Sequence, residues 1–260
     1  MDFIKAFWEK QGSTHRGSHT ASWGDRFAIE LEIETISRHI KPGDQVFDIG
    51  CANGFSTFRQ YELNPAARYT GIDYAVSMIE HANEALAEKK LSADKIRFSV
   101  ASILDLPFPD SAFEVAYTTR VLINLSTWEE QQRGIVQGLR VVRKGGLLVV
   151  SEGFWEPLCL LNSLRLLVGL PPLAEHDFNR YLKKAKLEAW LNEQRLSFEV
   201  EDFSSVYYLG SRVLRELIQK QELRRNSIAS ARHRQAQNGL PKNDRQQAYQ
   251  KGHGWAAWMR

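Results

Sequence analysis

The chain has 260 residues, a formal net charge of +3, 43% hydrophobic and 11% aromatic residues, and two cysteines. That length accommodates one α/β core with an appendage, and the apolar share is enough to bury it. The mild charge is no argument for nucleic acid, Cys51 and Cys159 make neither a disulfide framework nor a zinc site, and no run of about 18 apolar residues is present to span a membrane. Met1-Asp2-Phe3-Ile4-Lys5 lacks a basic region leading into an apolar stretch, so no signal peptide and a cytoplasmic location are expected.

Asp2 to Gln11 reads as a helix with Phe3, Ile4, Phe7 and Trp8 on one face. Gly12 to Gly24 is polar. Its glycines, serines and threonines predict a loop rather than a helix pairing His15 with His19 on a metal. Asp25 to Ile40 is a stronger helix, stopped by Lys41-Pro42-Gly43-Asp44, and this N-terminal region is expected to fold over a ligand. Val46 to Ile49 is a strand that ends in a turn of small residues, and a helix from Phe55 to Leu63 follows. Small residues let a ligand approach the backbone, and a helix N-terminus offers free N–H groups. Asp73 closes the next apolar run, Tyr69 to Asp73, 19 residues past Gly54 (73 − 54). Strand, small-residue turn, helix, strand and acid make the layout of a site for a ribose-bearing cofactor.

Val76 to Lys90 is an amphipathic helix, Ile96 to Val100 a third strand, and Ala101 to Phe113 a loop stiffened by Pro107 and Pro109. Phe113 to Thr119 is a fourth strand running into Arg120, Trp128 to Val142 a helix, and Leu147 to Ser151 a fifth, uniformly apolar strand. This alternation calls for a parallel sheet with right-handed crossovers. Phe154 to Gly169 is an apolar insert. Because it leaves the C-terminal end of the fifth strand, residues 154–176 are expected to cover the substrate. Asp177 to Leu191 reads as a helix, and Phe198–Phe203 with Ser205–Leu209 as a last pair of strands. From Gln219 the chain carries nine lysines and arginines against Glu222 and Asp244, which reads as a solvated basic helical extension over 211–260. Trp255 and Trp258 suggest that its end docks somewhere.

The turn itself is Asp48-x-Gly50-x-Ala52-x-Gly54, and the nicotinamide fingerprint G-x-G-x-x-G is absent. It resembles the first motif of class I S-adenosylmethionine-dependent methyltransferases, with Ala52 in place of the middle glycine, a change tolerable where the local φ is negative. Asp73 with Tyr74 and Met78 resembles their second motif. Leu106-Pro107-Phe108-Pro109 with Asp110 and Phe113 resembles their loop before strand four, and Arg143-Lys144-Gly145-Gly146-Leu147 their turn into strand five. The resemblance implies an α/β, Rossmann-like, doubly wound and mostly parallel seven-stranded sheet. It is carried by one domain over 1–210, with a helical cap at 1–40 and the insert after strand five.

It implies S-adenosyl-L-methionine as cofactor and S-adenosyl-L-homocysteine as product. Gly50, Cys51, Ala52 and Gly54 would lie along its methionine and ribose, with Asp48 on the amino group and Asp73 on both ribose hydroxyls. Tyr74 and Ile103 would flank the adenine with Ser102 at its polar edge, and Met78 belongs to the same motif. Arg120, at the end of strand four, would reach the donor and either hold an acceptor carboxylate or phosphate or pair with Glu152 or another acid. His176 is the candidate base, and Trp23, Glu152, Asn179 and Tyr181 are candidate acceptor contacts. The reaction is an in-line methyl transfer that needs no metal; alignment alone supplies on the order of 7–11 kcal/mol. The expected acceptor is a small molecule, a metabolite or saccharide, methylated at oxygen or nitrogen, and a homodimer is the candidate assembly. The rival readings are an RNA or protein methyltransferase using the basic tail, and a binding module without catalysis.

Overall fold

Val46 and Phe47 in β1 (Gln45–Ile49) face opposite sides of the pleat, and both are fully buried. A strand buried on both faces needs a layer on each. In the computed structural model, which describes residues 3–222, those layers are two apolar clusters. Val46, Tyr69, Ile96 and Tyr117 pack against α2 (Arg26–Ser37), α3 (Phe55–Leu63) and α4 (Val76–Glu88). Phe47, Ile49, Ile72 and Ala116 pack against α5 (Trp128–Val141) and α7 (Lys184–Glu193).

The sheet has five parallel strands in the order β3-β2-β1-β4-β5, with β2 at Arg68–Asp73, β3 at Ile96–Val100, β4 at Phe113–Thr119 and β5 at Val142–Ser151. β1 pairs with both β2 and β4, so the strand order reverses at its C-terminal end, the place where open α/β sheets bind ligands.

The predicted seven strands are corrected to five among the described residues. Phe198–Phe203 forms no strand, and Ser205–Leu209 is a helix, α8, that continues through a wider turn at Gly210–Leu214 to residue 222. Short aromatic and β-branched runs read equally as strand or helix, and partners decide. Here Tyr207 Oη donates to Asp25 Oδ1 at 2.5 Å, Arg212 pairs with Asp25, and Tyr208 and Val213 are buried with Trp23, Ile29, Ile33 and Leu158.

The helix expected over 177–191 begins only at Lys184. Before it, residues 180–182 are held as extended chain, with Arg180 N donating to Ile123 O at 2.7 Å and Leu182 N to Gly153 O at 2.9 Å. The insert forms α6 (Trp155–Leu167). The first helix, α1 (Phe3–His15), runs past Gly12 because that glycine is a contact: a Cβ there would meet Ser77 Oγ of α4 at 2.5 Å. No described helix is long and apolar enough to cross a membrane. Most of the basic extension, with Trp255 and Trp258, lies outside the described residues.

Candidate active site

The turn after β1 is bent by three alternate positions with positive φ, Gly50 at 81°, Ala52 at 48° and, past Asn53, Gly54 at 79°. The condition under which a methyl at Ala52 is tolerated without strain, a negative φ, is not met. This alanine adopts the left-handed conformation and carries its strain, while its methyl packs with Ala21, Ala75, Met78 and Trp8. Asp73, at the end of β2, ties the bend down: Ala52 N donates to its Oδ2 at 3.0 Å and Ala75 N to its Oδ1 at 2.9 Å.

Asp48 is 1% exposed, and its Oδ2 accepts from Thr57 Oγ1 at 2.6 Å. Burial pushes its carboxyl up to about 6, against the Thr57 and Tyr117 hydroxyls, which favour the charged form. Burial likewise pushes Asp73 up to about 6, opposed by the N–H groups of Ala75 and Ala52. The Cys51 thiol, also buried, is raised well above its usual range by burial and by the same two acids.

A cavity of about 560 Å³ opens at this switch point. Asp48, Gly50, Cys51, Ala52, Asp73, Tyr74, Ser102 and Ile103 line its sheet side. Its far wall is brought from three distant segments: Ile4, Phe7, Trp8 and Gln11 of α1, residues 20–24 with Trp23, and His176, Phe178 and Asn179. Arg120 and Ile123 join the two sides.

Four predicted residues do not line this cavity. Gly54 starts α3 behind the bend, and Met78 is buried against Ala52 from the other side. Tyr181 belongs to the cluster between α2, α6 and α8. Glu152 is fully buried and accepts from Thr118 Oγ1 at 2.9 Å, from Val121 N and Leu122 N at 3.0 Å, and from Ile123 N at 3.3 Å. It shapes the loop after β4 and is not the partner of Arg120.

Arg120 pairs instead with Glu32, a residue the sequence reading passed over. Glu32 is 1% exposed on α2 and also accepts from Ser151 Oγ at 2.6 Å. The Arg120 guanidinium lies over the Trp23 ring, 4.6 Å from its centroid. Glu32 was visible as an acid on the apolar stripe Ile29, Ile33, Ile36.

The α1 wall is fixed by two further residues. Glu9 accepts from Val76 N at 2.8 Å and Ser77 N at 2.9 Å, capping α4, whose own N-cap, Ala75, has no side chain for the task. Asn53, inside the bend, donates through Nδ2 to Arg16 O at 2.6 Å and Ser18 O at 2.7 Å. Phe7 and Trp8 meet Phe178 edge-on or tilted, and His176 stacks on Phe178 at 5.4 Å. Gln131 positions the segment carrying Asn179 by donating to Leu122 O at 3.1 Å and Arg180 O at 2.7 Å.

Known proteins are similar to this chain in sequence and fold. The chain is 30% identical over 151 residues to 27-O-demethylrifamycin SV methyltransferase of Amycolatopsis mediterranei, an alignment covering 58% of this chain and 51% of that protein. It is 27% identical over 172 residues to the O-methyltransferase rstn1 of Aspergillus nomiae, covering 61% and 74%. The chain thus spans about half the length of the first of these relatives. A geranyl diphosphate methyltransferase solved with GPP and sinefungin superposes with a TM-score of 0.54 at 17% identity, covering 77% of this chain and 82% of that one. The [4+2]-cyclase SpnF superposes at 0.52 and 23% identity, covering 73% and 67%, so the fold hosts more than one chemistry. The sequence profile described as the methyltransferase domain matches residues 40–207, well over half of the chain, and the protein belongs to that family of class I S-adenosylmethionine-dependent methyltransferases.

Proposed function

We propose that the protein transfers a methyl group from S-adenosylmethionine to an oxygen of a small, largely apolar acceptor. The observation that carries this reading is the two-sided cavity: a polar, acidic wall at Asp48, Asp73 and Ser102 faces an aromatic wall at Phe7, Trp8, Trp23 and Phe178. The acidic side fits the cofactor. Asp48 Oδ1 is a buried carboxylate oxygen that makes no hydrogen bond of good geometry, with only the Tyr117 hydroxyl nearby, and is matched to an ammonium. Asp73 accepts one N–H on each oxygen, which leaves lone pairs for a vicinal diol. When bound, the sulfonium supplies an already activated methyl group.

The chain's own contribution is then alignment and exclusion of water. Trp23, Ile123 and Asn179 would hold the acceptor against the donor side, and the α1 wall would close behind it. His176 lines the cavity and would take the hydroxyl proton. Oxygen as the methylated atom is supported by the relatives named as O-methyltransferases. The domain is proposed to span 1–210, with 1–40 as cap and 154–176 as the acceptor-side insert.

The test is incubation of the full chain with labelled donor and a panel of phenols, amines and RNA, with products identified by mass. O-methylated phenols are expected. Labelled RNA, or calorimetry showing no binding of S-adenosylhomocysteine, would overturn the reading.

A further inference from the structure

The charges around the cavity restrict what the acceptor can be. Among the described residues its lining holds three acids, Asp48, Asp73 and Glu130, against one permanent cation, Arg120, and one histidine, His176. An arginine at the acceptor side is the obvious counterion for a carboxylate or phosphate, because its fork matches both bidentately. Here that role is already taken. Glu32 stands behind Arg120, 1% exposed and outside the lining, and pairs with Nη1 while Ser151 Oγ holds its other oxygen at 2.6 Å. The guanidinium face is covered by Trp23.

We propose that Glu32 is a specificity-determining residue that sets the charge of the acceptor: by compensating Arg120 from behind, it leaves a cavity that takes uncharged hydroxylated acceptors and rejects carboxylates and phosphates. This rests on the methyl-transfer reading of the cavity. The argument is one of sign. With Glu32 in place an anion entering the cavity meets three acids and a guanidinium whose charge is matched. With Glu32 made neutral, the same anion meets a guanidinium that has lost its one directly paired carboxylate, with Glu152, Asp25 and Asp48 acting on it only without a direct ion pair, in a water-poor wall where Coulombic attraction is several times its value in bulk water. Arg120 remains charged in both cases, since guanidinium does not deprotonate in proteins. Its backbone, held at φ 59° at the end of β4, keeps it beside the cavity.

The experiment compares two probes of one shape, benzoate and benzamide, on the full chain by saturation-transfer NMR titration, with and without S-adenosylhomocysteine. Wild type is expected to favour benzamide by about tenfold or more. Glu32→Gln is expected to gain about tenfold or more in benzoate affinity while benzamide changes little, and Glu32→Gln combined with Arg120→Gln is expected to lose that gain. A folded Glu32→Gln, checked by circular dichroism, without a benzoate gain overturns the proposal. So does a wild type that binds benzoate as well as benzamide, a comparison that needs no variant to fold. Calorimetry with S-adenosylhomocysteine is read separately: its failure removes the cofactor reading, whereas the probe comparison bears on Glu32 alone.

Discussion

Acidification should weaken cofactor binding through Asp48, and the size of the effect follows from its burial. Its carboxyl titrates at about 6 rather than 3.8, with burial as the largest cause. The cationic end of the cofactor prefers the ionised form, so affinity is full above about pH 6 and falls below it. Each pH unit below that point costs about 1.36 kcal/mol, a factor of ten, for one group. At about pH 5 Asp48 alone should weaken binding by about tenfold relative to neutral pH. Asp73 is also raised to about 6 but is partly open to the cavity, and its proposed diol contact is a hydrogen bond rather than an ion pair. Its share should therefore be smaller.

The same shift acts oppositely on the free protein. A carboxyl whose pKa rises on folding contributes its full stability below the unfolded value, and loses it as pH rises through the folded value. The free chain should thus gain up to about 3 kcal/mol from Asp48 between neutral pH and about pH 4, and the cofactor complex should not. The assay is calorimetric titration of S-adenosylhomocysteine at stepped pH, in buffers of different ionisation enthalpy, on wild type and Asp48→Asn. Wild type should release about three-quarters of a proton from Asp48 near pH 5.5 on binding, and the variant should show weaker, nearly pH-independent binding. Affinity in wild type that is flat from pH 5 to pH 7.5 would refute the argument.

Ala52→Gly removes a left-handed alanine, which costs about 1–2 kcal/mol, but also a packed methyl and some rigidity of the unfolded chain. The expected change in denaturant stability is within about 1 kcal/mol, with cofactor affinity retained. Ala52→Val, by contrast, should destabilise by about 2 kcal/mol or more, since a branched Cβ tolerates that φ poorly. Glu9→Ala should cost about 1–2 kcal/mol through loss of the α4 cap and should make the segment before Trp23 an early target in limited proteolysis. Glu152→Gln leaves three backbone N–H groups and Thr118 around an amide in place of a carboxylate, for about 2–3 kcal/mol. Its thermal midpoint should fall by about 4–10 °C, with the Arg120–Glu32 pair intact by crystallography.

The frame was legible because its signals are local. The apolar runs Val46–Ile49 and Leu147–Ser151 marked β1 and β5, although β5, at the sheet edge, is only half-buried with Leu147 exposed and is not covered on both faces as its run suggested; the helix bounds Phe55–Leu63 and the start at Trp128 follow the apolar period, and Asp48 and Asp73 fell at strand ends. The misreadings have a common origin in distant partners. Ser205–Leu209 is a helix because Asp25, nearly two hundred residues earlier, binds Tyr207 and Arg212. The start of α7 is delayed because Ile123 and Gly153 hold residues 180–182 as extended chain. Arg120 lies where a strand-end residue should, but its meaning depends on Glu32, which only the packing of α2 against β5 brings behind it.

The acceptor side is hard to read for a reason that bears on how the site works. Nothing in the sequence of α4 caps its N-terminus, since Ala75 occupies that place, and Glu9 of α1 does so from 67 residues away. Asp73, which ties down the strained Ala52, accepts from Ala75 N, the residue immediately before the N–H groups that Glu9 holds. The α1 wall and the cofactor bend are therefore joined through the first turn of one helix. A cofactor that engages Asp73 adds to interactions that also favour the seated α1, and a seated α1 in turn supports Asp73. By reciprocity of linkage, loosening α1 through Glu9 has to weaken cofactor affinity by the same factor by which the cofactor would otherwise steady α1. That equality can be measured by comparing the loss of affinity in Glu9→Ala with the cofactor's protection of α1 against proteolysis in wild type.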